Sequence, residues 1–160
     1  MIFVTVGTDT HAFDRLLKEI DRLVREEKIK EKVVAQIGNS TYKPQNYEYF
    51  TFESSERLES LLNDSSLIIS HAGVGNIISA LSKSKPLVLV PRLAAFGEHT
   101  DDHQMEIAEQ LDREGRAVCV KDIALLSGAI ERARKLESNK APRNKRIPDM
   151  IESFISGLES

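Results

Sequence analysis

Apolar residues fall in short runs separated by stretches of helical periodicity. Residues 2–6, Ile-Phe-Val-Thr-Val, end at Gly7-Thr8-Asp9, the pattern of a buried strand entering a turn. Phe13, Leu16, Leu17, Ile20, Leu23 and Val24 then recur at steps of three and four, one face of a helix. Residues 32–37 and 47–52 read as two more strands, linked through Gly38, Asn39 and Pro44. A short helix over residues 55–62 follows, capped by Ser54 or Ser55.

A compact apolar run at 67–70 leads through a glycine turn into a helix over 75–84, and Lys85-Pro86 introduces the next strand at 87–90. Met105, Ile107, Ala108 and Leu111 mark a helix within 102–114 that stops at Gly115. A strand at 117–120 and a helix over 123–136 complete the series. Strands alternating with helices at this spacing predict right-handed crossovers and a mainly parallel sheet covered on both faces, a doubly wound, Rossmann-like α/β domain over residues 1–138. Residues 139–160 break the rhythm. Lys140, Arg143, Lys145 and Arg146 surround Pro142, and Ile151, Phe154, Ile155 and Leu158 mark one face of a final amphipathic helix. This tail reads as a basic linker and a helix docked on the same domain, with docking to a second protein near an anionic membrane surface as the alternative. No internal repeat or low-complexity segment interrupts the chain.

A length of 160 residues allows one domain with a real core and excludes two complete lobes. Apolar residues at 41% and charged ones at 29% are an ordinary globular balance, so the chain is expected to fold. The net charge of −3 argues against nucleic acid as partner, because phosphate neutralisation needs a clustered basic excess. The single cysteine, Cys119, has no internal partner, and no Cys/His spacing suggests structural zinc. A reducing cytoplasm is the expected compartment. No leader pattern precedes the first strand, and no apolar run approaches the roughly 18 residues of a membrane helix.

In open parallel sheets ligands sit outside the carboxyl ends of the strands, so chemistry is expected in the loops after Val6, Ser70 and Val90. In Ser70-His71-Ala72-Gly73-Val74-Gly75-Asn76 two glycines allow close backbone approach, and the following helix offers unpaired N–H groups to an anion, most naturally a phosphate. The third glycine of a dinucleotide fingerprint is replaced by Ile78, and no P-loop lysine pattern exists. A Rossmann dehydrogenase and a Walker-type NTPase are therefore disfavoured. The segment from Pro91 to Gln104 carries two histidines, three acids and an arginine, more functional groups than a connection needs.

Val4-Thr5-Val6-Gly7-Thr8, Ser70-His71-Ala72-Gly73-Val74-Gly75, Lys85-Pro86-Leu87-Val88-Leu89-Val90-Pro91-Arg92 and Gly97-Glu98-His99-Thr100-Asp101-Asp102-His103-Gln104 resemble the short glycosyltransferase subunits of bacterial exopolysaccharide synthesis. They are similar too to the donor-binding subunit of the eukaryotic dolichol-linked N-acetylglucosaminyltransferase. Both correspond to the C-terminal lobe of a GT-B glycosyltransferase, and the resemblance spans about residues 2–120.

The resemblance implies a UDP-sugar donor. Gly7 and Thr8 on one side, and Gly73, Val74, Gly75 and Asn76 on the other, would face its diphosphate with backbone N–H groups in place of a metal; no metal or other cofactor is expected. Arg92 and Asp102 belong to the same expected set, and His103-Gln104 stand where the family reads the donor sugar's hydroxyls. Ser79 occupies the position where the family often carries an acid for the ribose, so either its hydroxyl or the carboxylate of Glu98 would serve. His71 is expected near the phosphates or as a buried structural group, and His11 as a surface residue at the same rim. Glu98 or His99 has the chemistry of a base for the acceptor hydroxyl, although GT-B enzymes often place that base in the other lobe.

The function so implied is transfer of a hexose, such as galactose or N-acetylglucosamine, to a lipid-linked acceptor at the cytoplasmic face of a membrane. A membrane-anchored partner chain would supply the acceptor lobe. The alternatives are a non-catalytic enhancer or scaffold of a glycosyltransferase, and a nucleotide-sugar-binding module.

Overall fold

The computed structural model describes residues 1–138 of the chain; the expected basic linker and final helix lie outside the described residues. Among the described residues six strands and five α-helices follow in the order β1 (Ile2–Thr5), α1 (Asp14–Arg25), β2 (Val33–Gln36), β3 (Glu48–Phe50), α2 (Ser55–Asp64), β4 (Leu67–Ser70), α3 (Val74–Ser82), β5 (Leu87–Leu89), α4 (His103–Arg113), β6 (Val118–Cys119) and α5 (Leu126–Ser138), a helix separating every pair of consecutive strands except β2 and β3. All strand pairs are parallel, in the order β3-β2-β1-β4-β5-β6.

Alternation along β1 sends Ile2 and Val4 to one face and Phe3 to the other. The first face joins Leu16, Leu17 and Ile20 of α1 and Ala129, Ile130 and Ala133 of α5. The second buries Leu61 and Leu62 of α2, Ile77, Ala80 and Leu81 of α3, and Ile107, Ala108 and Leu111 of α4. Burial on both faces is why β1, β2 and β4 carry almost no polar residue, as the all-apolar runs predict.

Local chemistry sets the element ends. Ser54 is the cap of α2, its Oγ accepting the Arg57 N–H at 3.2 Å. Two features go beyond the periodicity. A 3-10 turn, Ala94–Phe96, lies inside the polar loop and ends at Gly97 with φ +66°, and a second, Ile123–Leu125, leads into α5 on an Asp122 cap. Asp21 on α1 is 3% exposed and gathers the loop before β3: Tyr42, Gln45 and Asn46 donate four hydrogen bonds to its two oxygens at 2.5–3.0 Å. Burial alone would raise its pKa, but these donors outweigh it and the net shift is downward. At the far edge of the sheet, the outward N–H of Cys119 on β6 donates to Asp112 Oδ2 at 2.7 Å, and Arg132 of α5 pairs with the same oxygen at 2.7 Å.

The strand order reverses at β1, with β2 on one side and β4 on the other. Their carboxyl-end loops diverge there and leave the crevice in which open α/β sheets take ligands.

Candidate functional site

At that crevice the turn after β1 and the turn after β4 meet through one side chain. The ring of His71, 9% exposed, lies against Gly7 and Gly73 so closely that a Cβ on either glycine would enter the imidazole. Gly7 also needs its φ of +74°, which a side chain rarely adopts. These two glycines were expected to let phosphate approach; the structure adds that each yields its side-chain space to a histidine. Gly75 differs. A Cβ there would meet nothing within 4 Å, so the outer face of the second helical residue is open.

Asn76 Nδ2 donates to His71 Nε2 at 3.1 Å, which leaves the ring proton on Nδ1, and Nδ1 has no partner. Burial, reinforced by the nearby Arg92 charge, lowers the His71 pKa to about 4, so the ring is neutral at pH 7. The ring is buried without bonding a backbone carbonyl, and it sits directly at the foot of α3. That helix starts at Gly73 with no side-chain cap, so its first N–H groups remain unclaimed by the chain's own side chains. Ser79, one turn on, donates its hydroxyl back to the Gly75 carbonyl at 3.1 Å.

The polar loop after β5 is held from beneath by Arg92, the bulkiest of the fully buried side chains. Its Nη1 donates to the His11 and Glu98 carbonyls at 2.9 and 3.0 Å, its Nη2 to the Val6 carbonyl at 2.6 Å, and its guanidinium lies 5.0 Å from the centre of the Phe13 ring. Expected to touch the donor, Arg92 instead stitches the ends of β1 and β5 together and presents no group to the crevice. Glu98 requires the same correction. It is 3% exposed, receives Arg15 Nε and Nη2 at 2.8 and 3.0 Å and the Leu93 N–H at 3.0 Å, and so is free neither to take an acceptor proton nor to bind ribose. Loops look functional when rich in charge; long-range pairing with a helix 83 residues earlier is what no local pattern reveals.

The remaining loop residues sort by partner. Asp101 Oδ1 accepts the His103 N–H at 3.0 Å just ahead of α4, while Asp102 Oδ1 accepts the Ala94 N–H at 2.9 Å and holds the 3-10 turn. Gln104 Oε1 accepts the Arg92 N–H at 3.1 Å, placing its amide beside His71 with the Nε2 end unassigned to backbone. His103 is exposed and reaches only Glu106, at 3.8 Å. Thr8 is exposed at the rim, its carbonyl 3.5 Å from Asn39 Nδ2. His99 Nδ1 accepts the Asp101 N–H at 3.3 Å, and its Nε2 faces Asp9 Oδ2 at 3.8 Å. Its Nδ1 is also 3.3 Å from Asp101 Oδ1, so the ring stands between the Asp101 and Asp9 carboxylates. His11, set aside as a surface group, is paired with Asp9 through Nδ1 at 2.6 Å.

A cavity of about 420 Å³ near the β6 edge lies away from this rim, and four of its charged groups pair with one another: Lys121 with Glu109 and Arg132 with Asp112. Cys119 lines it, but burial pushes its thiol pKa up to about 11, which keeps it protonated.

The chain is similar to the human "UDP-N-acetylglucosamine transferase subunit ALG13", 36% identical over an alignment of 123 positions that covers 71% of this chain and 10% of that protein. It thus spans about one tenth of the length of that relative. The solution structure of ALG13 shares the fold, with a TM-score of 0.62 at 20% identity over 99% of this chain and 96% of that one. MurG of Acinetobacter baumannii shares it at a TM-score of 0.56 and 17% identity, over 94% of this chain and 49% of that one. Among the described residues no helix is long and apolar enough to cross a membrane. Residues 1–155 match the model of the glycosyltransferase family 28 C-terminal domain, and the chain belongs to that family.

Proposed function

We propose that the chain binds a UDP-sugar, with UDP-N-acetylglucosamine as the first donor to test, and serves as the donor-binding half of a two-chain glycosyltransferase acting on a lipid-linked acceptor. The observation that carries this reading is the uncapped N-terminus of α3 above two glycine turns, with the unpartnered Nδ1–H of a neutral His71 beside it. Backbone N–H groups and the positive end of the helix dipole are the means by which such a site holds a diphosphate, and the open face of Gly75 leaves room for it. The name of the human relative supports the choice of sugar nucleotide.

On this reading Gly73, Val74, Gly75, Asn76 and Thr8 meet the phosphates, and the Gln104 amide and exposed His103 meet the sugar. Transfer is promoted by positioning and by stabilising the charge that develops on the leaving UDP, since fixed amide dipoles need no reorganisation as the bond breaks. A second chain with a membrane anchor supplies the acceptor lobe and keeps the complex at the cytoplasmic face. The phosphate charge is met by amides, so a chelator is expected to leave binding unchanged. Glu98 is buried against Arg15 and Ser79 is bonded to its own helix, so neither of the two expected ribose ligands is free; this favours, as the second reading, a subunit that scaffolds a transferase without binding donor.

Calorimetric titration of the full chain with UDP and with UDP-N-acetylglucosamine, with and without EDTA, separates the two. Binding of either ligand that weakens in Gln104→Ala more for the sugar nucleotide than for UDP supports the donor site. Heats indistinguishable from dilution for both ligands favour the scaffold.

A further inference from the structure

Asp9, two residues beyond the first glycine turn, holds a histidine as a proton acceptor needs to be held. Asp9 Oδ1 accepts the backbone N–H of His11 at 2.8 Å and lies 2.6 Å from His11 Nδ1. Burial raises the Asp9 pKa, but the two His11 hydrogen bonds and the Arg92 charge more than offset it, so the carboxyl stays ionised at neutral pH. An ionised carboxylate only accepts. The ring proton therefore sits on Nδ1, and His11 Nε2 keeps a free lone pair. The His11 side chain is 36% exposed.

His99 flanks the arrangement on its other side. Its Nδ1 lies 3.3 Å from both the backbone nitrogen and the Oδ1 of Asp101, and its Nε2 faces the second oxygen of Asp9 at 3.8 Å. The two rings are 6.3 Å apart. One of these imidazoles is left with a lone pair; the other backs the carboxylate that orients it. The charged and titratable groups facing His11 are Asp9, His99 and its partner Asp101, and Arg92, whose Nη1 donates to the His11 carbonyl at 2.9 Å. Arg92 also donates to the Val6 carbonyl, just ahead of the Gly7 turn on which His71 packs, so the pair sits on the same rim as the proposed phosphate site.

Resting on the donor-binding reading, the geometry points to His11 as the general base of the transfer, with Asp9 as its positioning residue. The acceptor O–H proton passes to His11 Nε2 while the acceptor oxygen bonds to the anomeric carbon of the sugar. The bond from that carbon to the β-phosphate oxygen breaks, and its electron pair leaves with UDP. The imidazolium so formed faces the Asp9 carboxylate, which stabilises it. This places the base on the donor-binding chain itself.

The test reconstitutes the purified full chain with membranes from cells that lack it, using UDP-N-acetylglucosamine as the donor probe, and measures donor affinity by calorimetry in parallel. His11→Gln is expected to bind the donor within about a factor of two of the parent. Its transfer rate should fall by about 100-fold or more and lose the acidic limb of the pH–rate profile. Asp9→Asn, which keeps the imidazole, is expected to slow transfer with little change in KM, and nitrogen-edited imidazole spectra should show the His11 proton no longer fixed on Nδ1. If His11→Gln does not fold, the Asp9→Asn rate and spectra decide. Parent-like transfer by His11→Gln overturns the base and leaves donor binding standing; equal losses of affinity and rate overturn it by moving His11 into the donor site. A parent that binds donor without transferring sugar removes the base alone, and one that binds none removes the donor reading with it.

Discussion

The imidazole of His71 occupies the space that a Cβ of Gly73 would need, although the two residues are only two positions apart and Gly73 has an ordinary φ of −81°. The glycine is demanded by a contact and not by the backbone.

Gly73→Ala is therefore expected to destabilise the chain by about 1–3 kcal/mol through overpacking, read as a lowered urea midpoint. Combined with His71→Ala, the same substitution should cost far less, because the clash is gone. Simple additivity in this double-mutant cycle would count against the contact as the cause.

The His71 pKa, lowered by burial to about 4, fixes the direction of an acid effect. Between the ordinary value of 6.5 and about 4 the unfolded chain binds the proton and the folded chain does not, so stability is full above this window and declines as pH falls through it. Below it the loss amounts to about 3 kcal/mol. Denaturant midpoints from pH 7.5 to 4 should show the decline in the parent and a shallower one in His71→Asn.

Glu98 and Arg15 tie the loop after β5 to α1 with both side chains largely out of water. Glu98→Gln leaves the guanidinium without its counter-charge and is expected to cost about 2–4 kcal/mol. Amide exchange at Leu93, whose N–H donates to Glu98, should quicken in the variant. Unchanged exchange at Leu93 would show that the loop is held by other contacts.

Gly75 separates stability from binding. Alanine there fills open space on a helix and is expected to stabilise by about 0.5–1 kcal/mol. If phosphate approaches α3, the same methyl should weaken UDP binding; a variant that melts higher and binds UDP as the parent does would move the phosphate elsewhere.

Much of the architecture was legible because buried parallel strands must be apolar throughout and their helices must carry one apolar face. Residues 2–6 and 67–70, and the spacing from Phe13 to Val24, state this without any partner in view. The two glycine turns were legible as turns, but their tight packing on His71 joins residues 7, 71 and 73 and exists only once β1 and β4 are adjacent. Charge-bearing loop residues misled most. Arg92 and Glu98 look like surface chemistry until Val6, Phe13 and Arg15 close around them. His11 is hard to read for the converse reason: a lone histidine near a turn carries no signal of its own, although Asp at i−2 is a pairing that a sequence does display. The 3-10 turn at Ala94–Phe96 depends on Asp102 reaching back eight residues, which no short-range propensity contains.

The outer edge of β6 bears on how copies of this domain meet. An open parallel sheet ends in a row of amide groups that invites another strand, the first step of edge-to-edge aggregation. Here the outward amide of Cys119 is already spent on Asp112, which Arg132 anchors from α5, and the strand is only two residues long. A chain that tried to lengthen the sheet would first have to displace an anchored carboxylate and would gain little pairing in return. Crowding many copies together is thus resisted on this side of the sheet.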